Sequence, residues 1–193
     1  MRKLTDSQLQ FLSEQNITLN LMFDGEGFTK TEYQERMKSL GKLFVYNTSP
    51  CKNSGHSLRS RSGHCIQCNT AYIGFTKRSS KAGFVYIAQT KNGKLIKIGF
   101  SENMREREKS LIRTKYGEFD DWKILFGISC INAGKLEIEI KKEMNKYAQV
   151  KTYNHDGKKQ VADELYRCKY SIAKEKLKEL SSNPIFNSEN VEM

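Results

Sequence analysis

The chain has 193 residues, of which 33 are Lys or Arg and 22 are Asp or Glu, so its formal net charge at pH 7 is +11. A positive surplus of this size favours a polyanionic partner, because each neutralised phosphate releases condensed counterions. No apolar run approaches the ~18 residues of a membrane span, and the first ten residues lack the apolar segment of a secretory signal. We therefore expect a cytoplasmic protein without a membrane partner, whose five cysteines are reduced.

Residues 1–45 have the pattern of a helical N-terminal unit. Leu9, Phe11 and Leu12 mark the apolar positions of a first helix. Thr29 and Glu32 have the spacing of a capping box, which predicts the start of a second helix. The Gly-rich turn FDGEGF separates the two helices, and nothing in this unit requires chemistry.

The polar segment 46–72 contains a set of candidate metal ligands. The stretch CKNSGHSLRSRSGHCIQC has a C-x4-H-x8-C-x2-C arrangement, formed by Cys51, His56, Cys65 and Cys68. Thiolates and an imidazole without a carboxylate favour a structural Zn²⁺ site, with His64 as the alternative nitrogen ligand. Because so short a segment has no core of its own, we expect Zn²⁺ to supply its folding free energy.

Two groups of arginines are candidates for phosphate contacts. Arg59 and Arg61 lie in the zinc segment. Arg105 and Arg113 lie on a basic helix predicted to begin after Ser101 or Asn103, either of which is a suitable N-cap. We expect these four arginines to contact DNA.

Residues 80–181 predict a separate α+β domain with a central antiparallel or mixed β-sheet flanked by helices. Its first part, GFVYIAQTKNGKLIKIGFS, has two alternating apolar runs joined by Asn92-Gly93, a dipeptide suited to a tight primed turn. A basic helix, a strand near residues 122–131 and further helices are expected to follow. Residues 182–193 have the composition of a flexible tail.

This domain resembles the GIY-YIG nuclease superfamily, in its phage-type branch, over roughly residues 83–180. Phe84-Val85-Tyr86 is similar to the first signature triplet, and Lys97-Ile98-Gly99 to the second. Arg107 lies about two helical turns past Gly99, where the family has its catalytic arginine. The later stretch DELYRCKY is similar to the acidic-aromatic motif that closes that branch.

A second helix resembles the one that bears the family's metal-binding glutamate. In NAGKLEIEIKKEMNKY, Glu137 matches that position best, with Glu139 and Glu143 as rivals. A glutamate there would hold one Mg²⁺ or Mn²⁺ ion as a Lewis acid.

The resemblance implies a metal-dependent DNA endonuclease that hydrolyses phosphodiester bonds. Tyr86 would be the general base, and Arg107 would stabilise the scissile phosphate. Lys97 stands where the family usually has tyrosine. Its ammonium would favour the Tyr86 phenolate, so we count it as catalytic.

The alternative function is a non-catalytic, zinc-containing DNA-binding protein on a nuclease-like scaffold. Double-stranded DNA is the expected partner in both cases, although net charge alone does not distinguish DNA from RNA. Such a core serves restriction, homing and repair alike. Sequence specificity and oligomeric state stay open, and a dimer is one way to cut both strands.

Overall fold

The computed structural model of the chain describes residues 3–91 and 95–192. The chain divides once, between Arg78 and Ser79, into an N-terminal unit 1 and a C-terminal unit 2. The sequence prediction instead separated residues 1–45 from 46–72. The turn predicted at Asn92-Gly93 lies outside the described residues.

Unit 1 combines three helices with a small sheet. The helix starts are set by side-chain caps: Thr5 and Thr29 each form a capping box, the second of them as the Thr29–Glu32 spacing predicts. The elements in chain order are α1 (Asp6–Glu14), β1 (Met22–Asp24), α2 (Lys30–Ser39), β2 (Phe44–Tyr46), β3 (Arg59–Ser60) and α3 (Ala71–Ser79). Strand β2 is central, parallel to β1 and antiparallel to β3.

The metal segment of unit 1 shares an apolar core with the helices. Leu58 and Ile66, which lie between the candidate ligands, are fully buried against Leu12, Phe44 and Ile73. The segment has no core of its own, as expected, but it shares one with the rest of unit 1. It contributes two buried apolar side chains, and the others come from distant helices and strands.

Unit 2 contains a six-stranded antiparallel sheet. Its elements are β4 (Gly83–Thr90), β5 (Ile96–Ser101), α4 (Met104–Arg113), β6 (Trp122–Cys130), α5 (Ala133–Glu143), β7 (Ala148–His155), β8 (Lys158–Tyr166), α6 (Tyr170–Ser181) and β9 (Glu189–Glu192). The strand order is β7-β8-β5-β4-β6-β9. The predicted α+β class is confirmed.

Both faces of the central strand β4 are covered, and alternate residues of the strand point to opposite sides. On one face Val85 and Ile87 pack against α5 and α6. On the other face Tyr86 and Ala88 pack against α4. This alternation brings Tyr86 to the same side of the sheet as α4, the basic helix.

Two segments differ from the sequence prediction. Helices were expected throughout the region after β6, but Ala148–His155 and Lys158–Tyr166 form a β-hairpin. Residues 182–193 were expected to be a flexible tail, but Phe186 is fully buried and β9 pairs with β6. Both segments are ordered by pairing with a neighbouring strand of the sheet, which local composition does not reveal.

Among the described residues, no helix is both long and apolar enough to cross a membrane.

Candidate active site and candidate metal centre

A tyrosine from β4 and an arginine from α4 meet on one face of the sheet. Asn103 caps α4 by accepting a hydrogen bond from the Glu106 amide, so Asn103 and not Ser101 is the N-cap. One turn further along this helix, Arg107 Nε donates a hydrogen bond to the Tyr86 hydroxyl oxygen at 3.0 Å. The structure thus brings together the residues expected to act as base and phosphate stabiliser.

Gly99 supplies the space in which the Tyr86 hydroxyl lies. Gly99 is the residue paired with Tyr86 across the β4–β5 ladder. A Cβ atom at Gly99 would lie 2.7 Å from the Tyr86 hydroxyl oxygen and 2.9 Å from the ring carbon that bears it. A glycine is therefore required at position 99 for a steric reason, since any side chain there would displace the Tyr86 hydroxyl.

The environment of Tyr86 keeps its hydroxyl protonated at neutral pH. Burial raises the pKa of Tyr86 to about 12, although the nearby Arg107 guanidinium acts in the opposite direction. The negative charges of Glu164 and Glu137 also raise this pKa. The base role requires a positive charge beyond Arg107 to draw the proton away.

Lys97 is fully buried and contacts a different group from the one expected. Its Nζ forms an ion pair with Glu164 of β8 and lies 4.4 Å from the centroid of the Tyr116 ring. Burial lowers the pKa of Lys97 to about 8, against the opposite effect of Glu164. The cation in contact with Tyr86 is Arg107, so the expected pairing of Lys97 with the phenolate differs from the observed geometry.

Glu164 lies beside the candidate site residue Lys97, although the sequence predicted no role for it. Burial alone would raise its pKa, but the charges and hydrogen bonds of Lys97 and Lys141 lower it to about 2. The residue belongs to DELYR, which was noted only as a family-like ending. Its position in that motif was the available signal, and its partners are visible only in the fold.

Glu137 is buried at the edge of β5. Its Oε1 accepts hydrogen bonds from the Phe100 amide at 3.1 Å and from Lys141 Nζ at 2.8 Å. Lys141 also pairs with Glu164, so a chain of ion pairs joins β5, β8 and α5. A carboxylate is a suitable ligand for Mg²⁺ or Mn²⁺, although one oxygen of this carboxylate already has two donors.

The rival glutamates of α5 lie elsewhere. Glu139 Oε1 lies 3.7 Å from Lys135 Nζ, and Glu143 Oε2 lies 3.8 Å from Lys176 Nζ. Both are more exposed than Glu137, whose residue is 2 % exposed. Of the three, Glu137 contacts the strand that carries Lys97 and Gly99.

The four candidate zinc ligands of unit 1 converge. The ligand atoms of Cys51, His56, Cys65 and Cys68 all lie within 4.8 Å of one another, and this cluster could hold a metal ion. Cys51 Sγ lies 3.6 Å from Cys68 Sγ, and His56 Nδ1 lies 3.4 Å from Cys68 Sγ. In a tetrahedral site with Zn–S bonds of about 2.3 Å, two sulfur ligands are about 3.8 Å apart, so the geometry fits zinc.

The surroundings of this cluster favour the thiolate at Cys51, whereas burial raises the pKa of the Cys65 thiol. The Ser54 amide donates a hydrogen bond to Cys51 Sγ at 3.4 Å, which is the largest of several contacts that together lower the pKa of this thiol to about 6. His64, the alternative nitrogen ligand, instead stacks on Tyr72 with ring centroids 4.3 Å apart. His56 is thus the histidine of the cluster.

The four predicted DNA contacts fall into two groups. Arg59 donates a hydrogen bond to the Ser49 carbonyl at 2.8 Å, and burial lowers the pKa of Arg61, so both are partly engaged within unit 1. Arg105 and Arg113 are exposed on α4. The exposed pair flanks Arg107 on the same helix.

The sequence of unit 2 is that of a nuclease-related domain. Residues 83–181, about half of the chain, match the T5orf172 domain. The chain therefore belongs to the T5orf172 domain family, which supports a nuclease-like or DNA-binding role. No curated protein and no solved structure matches the chain.

Proposed function

We propose that the protein is a metal-dependent DNA endonuclease of the GIY-YIG type. The observation that carries this proposal is the hydrogen bond from Arg107 Nε to the buried Tyr86 hydroxyl, in a domain of a nuclease-related family. Phosphodiester hydrolysis requires an activated nucleophile and cations that neutralise the phosphoryl oxygens. A tyrosine in contact with an arginine provides candidates for both tasks.

Arg107 binds the scissile phosphate. Its Nε donates a hydrogen bond to Tyr86, and the described residues provide no other hydrogen-bond partner for this guanidinium. Its two terminal amino groups therefore remain for bidentate binding of phosphate oxygens. Arg107 is thereby held in place by the residue whose chemistry it assists.

Tyr86 is the general base. Its proton is retained in the described environment, because burial holds the pKa near 12. The phenolate becomes accessible when additional positive charge reaches the site, and the Arg107 contact already favours the charged form. Tyr86 then accepts the proton of the attacking water.

Glu137 is the ligand for Mg²⁺ or Mn²⁺. The ion, when bound, supplies Lewis-acid stabilisation of the phosphate and the leaving oxygen. Lys97 and Glu164 act beside it as positioning residues, because their ion pair connects β5 to β8 and leads through Lys141 to Glu137. Lys97 thus supports the site without contacting the Tyr86 proton.

The cluster formed by Cys51, His56, Cys65 and Cys68 holds a structural Zn²⁺ ion. Three thiolates and one imidazole complete a tetrahedral site with no open position for chemistry. The bound ion orders the segment that bears Arg59 and Arg61. These two arginines, together with Arg105 and Arg113, supply phosphate contacts to double-stranded DNA.

A plasmid-nicking assay with Mg²⁺ or Mn²⁺ tests the endonuclease. We expect the wild type to nick supercoiled DNA, and Tyr86→Phe and Glu137→Ala to lose about 10²-fold or more in rate. Tyr147→Phe and Glu139→Ala are matched controls, because each makes the same chemical change away from the Tyr86–Arg107 pair. Wild-type protein that leaves the plasmid intact with either ion, or equal rates for site and control variants, contradicts the proposal.

The second candidate is a DNA-binding protein without catalysis. It is favoured by Lys97, which stands where the GIY-YIG superfamily usually has tyrosine and which forms an ion pair with Glu164. The same preparation distinguishes the two functions: DNA retarded on a gel but never cut, with either ion present, identifies the non-catalytic protein.

A further inference from the structure

The β7–β8 hairpin forms one edge of the six-stranded sheet, and its far end extends beyond the residues that pair with β5. In the described residues, β8 is joined to β5 by two residue pairs, Ile96 with Tyr166 and Lys97 with Leu165. The ladder between β7 and β8 then continues outward from Lys151 to the pair of His155 with Lys158. At about 3.3 Å per residue, this two-stranded ribbon extends for about 15 Å.

The tip of the hairpin has a defined conformation. Asp156 and Gly157 form the two-residue loop, with φ angles of 49° and 71°. Two successive positive φ angles are the signature of a type I′ turn, whose twist matches that of the strands it joins. The ribbon is therefore a shaped projection with a fixed register.

The hairpin carries cations that are not neutralised within unit 2. Lys158 and Lys159 are exposed beside the turn, and no carboxylate among the described residues forms an ion pair with either amine. Two exposed helical lysines of this unit contrast with them, since Lys109 pairs with Glu106 and Lys176 pairs with Glu179. Unpaired amines at the end of a projection are suited to an anionic partner.

Polar side chains with both donors and acceptors accompany these amines. Asn154 pairs across the ladder with Lys159, and Tyr153 with Gln160. Asn154 and Gln160 are exposed. Side-chain amides of this kind form paired hydrogen bonds with base edges in the major groove.

The base of the hairpin is continuous with the candidate active site. Tyr153 packs edge-on against Tyr116 with ring centroids 5.5 Å apart, and Lys97 Nζ lies over that same Tyr116 ring. Burial raises the pKa of Tyr153, and the charge of Arg107 lowers it. Arg107 is therefore close enough to the hairpin for its charge to act on Tyr153. A ligand that places a phosphate at Arg107 would extend toward the hairpin.

We propose that the β7–β8 hairpin is a DNA-binding arm that enters the major groove and sets the position of the duplex relative to the Tyr86–Arg107 pair. A two-stranded ribbon fits a groove about 12 Å wide. Lys158 and Lys159 bind phosphates, and the amide of Asn154, on the same face of the ribbon as Lys159, faces the bases. This inference rests on the proposed function, because it assumes that unit 2 acts on DNA.

The test is the affinity for a fluorescein-labelled 30-base-pair duplex, measured by anisotropy over a range of salt concentrations without added Mg²⁺ or Mn²⁺. For Lys158→Gln/Lys159→Gln we expect weaker binding and a salt slope reduced by about one for each lysine. Lys158→Arg/Lys159→Arg should restore both quantities, which a purely structural role would not predict. Lys135→Gln/Lys142→Gln removes the same charge from α5, on the other side of the sheet, and should bind like the wild type.

The outcomes separate this inference from the endonuclease proposal. A salt slope unchanged by the hairpin substitutions, or reduced equally by the α5 control, overturns the arm and leaves the endonuclease in place. A reduced slope in a protein that binds DNA but never nicks it supports the arm and contradicts the endonuclease. Tighter binding of an RNA duplex of the same sequence overturns the choice of DNA, since the deep, narrow major groove of RNA does not admit such a ribbon.

Discussion

Gly99 lies opposite Tyr86 in the β4–β5 ladder, and the Tyr86 hydroxyl occupies the space that a side chain at Gly99 would fill. Arg107 then meets that hydroxyl from α4. The two triplets that resemble the GIY-YIG signature are therefore linked by a physical contact, because Gly99 determines where Tyr86 can place its hydroxyl.

Gly99→Ala is expected to displace the Tyr86 hydroxyl. The added Cβ would lie 2.7 Å from this oxygen, so the ring must shift or the strands must separate. We expect a loss of about 1–3 kcal/mol in the free energy of unfolding and a fall of about 10²-fold in nicking rate. Gly74→Ala is the control, because a Cβ at this helical glycine meets nothing within 4 Å. Unchanged nicking by Gly99→Ala would contradict the steric role.

The two partners of the Lys97–Glu164 ion pair should differ in their effect on stability. Glu164→Gln leaves the Lys97 ammonium buried without its carboxylate, which costs about 3–5 kcal/mol. Lys97→Met removes the buried charge, and Glu164 keeps Lys141 as a partner. Urea unfolding followed by Trp122 fluorescence reports on unit 2, since Trp122 is the single tryptophan of the chain and lies in that unit. If Lys97→Met lowers the free energy of unfolding by more than Glu164→Gln does, the expected order of the two substitutions is refuted.

Acid should weaken unit 2 through Glu164. The pKa of this carboxyl is about 2 in the folded protein, below its ordinary value of 4.5. Its contribution to stability is therefore complete above pH 4.5 and is lost as the pH falls toward 2. The difference in unfolding free energy between the wild type and Glu164→Gln should narrow as the pH falls from 4.5 to about 2. Trp122 fluorescence again isolates unit 2 from acid release of a metal in unit 1, and a constant difference would count against the ion-pair explanation.

Lys141 should compete with a divalent cation for Glu137. Its Nζ lies 2.8 Å from Glu137 Oε1, so a bound ion must displace or face this ammonium. We expect Lys141→Met to raise the affinity for Mn²⁺ by about tenfold or more, because a like charge is removed from the site. Lys142→Met is the control, since Lys142 is exposed on the same helix. Electron paramagnetic resonance detects free Mn²⁺ during a titration and so measures the affinity directly. Equal affinities of the wild type, Lys141→Met and Lys142→Met would contradict the competition.

The Cys/His cluster should bind about one equivalent of Zn²⁺ per chain, measured by elemental analysis. Cys68→Ser is expected to lose the metal and to destabilise unit 1, whereas Cys168→Ser keeps it, because Cys168 is a free thiol outside the cluster. His56→Ala and His64→Ala provide a second matched pair, of which only the first should release zinc. A metal-free preparation that retains the stability of the loaded protein would disprove a structural role.

Several features could be predicted because they depend on local spacing. The capping box of Thr29 and Glu32 requires only residues within one helical turn. The convergence of Cys51 with Cys68 follows from ligands contained in one short, polar segment. The α+β class was recognisable because strand alternation and helix periodicity are patterns of consecutive residues. The first triplet and Arg107 were recognised through the resemblance to the GIY-YIG superfamily.

Tertiary structure alone decided the contacts that join distant segments. Glu164 lies 67 residues from Lys97, and only the pairing of β8 with β5 brings them together. The dipeptide Asp156-Gly157 was a local signal for the β7–β8 hairpin, but its place beside β5 depends on the sheet. The sequence therefore determined which residues were available for chemistry. The fold determined their partners, because burial removes water as the competing partner and leaves each charge to the side chains packed around it.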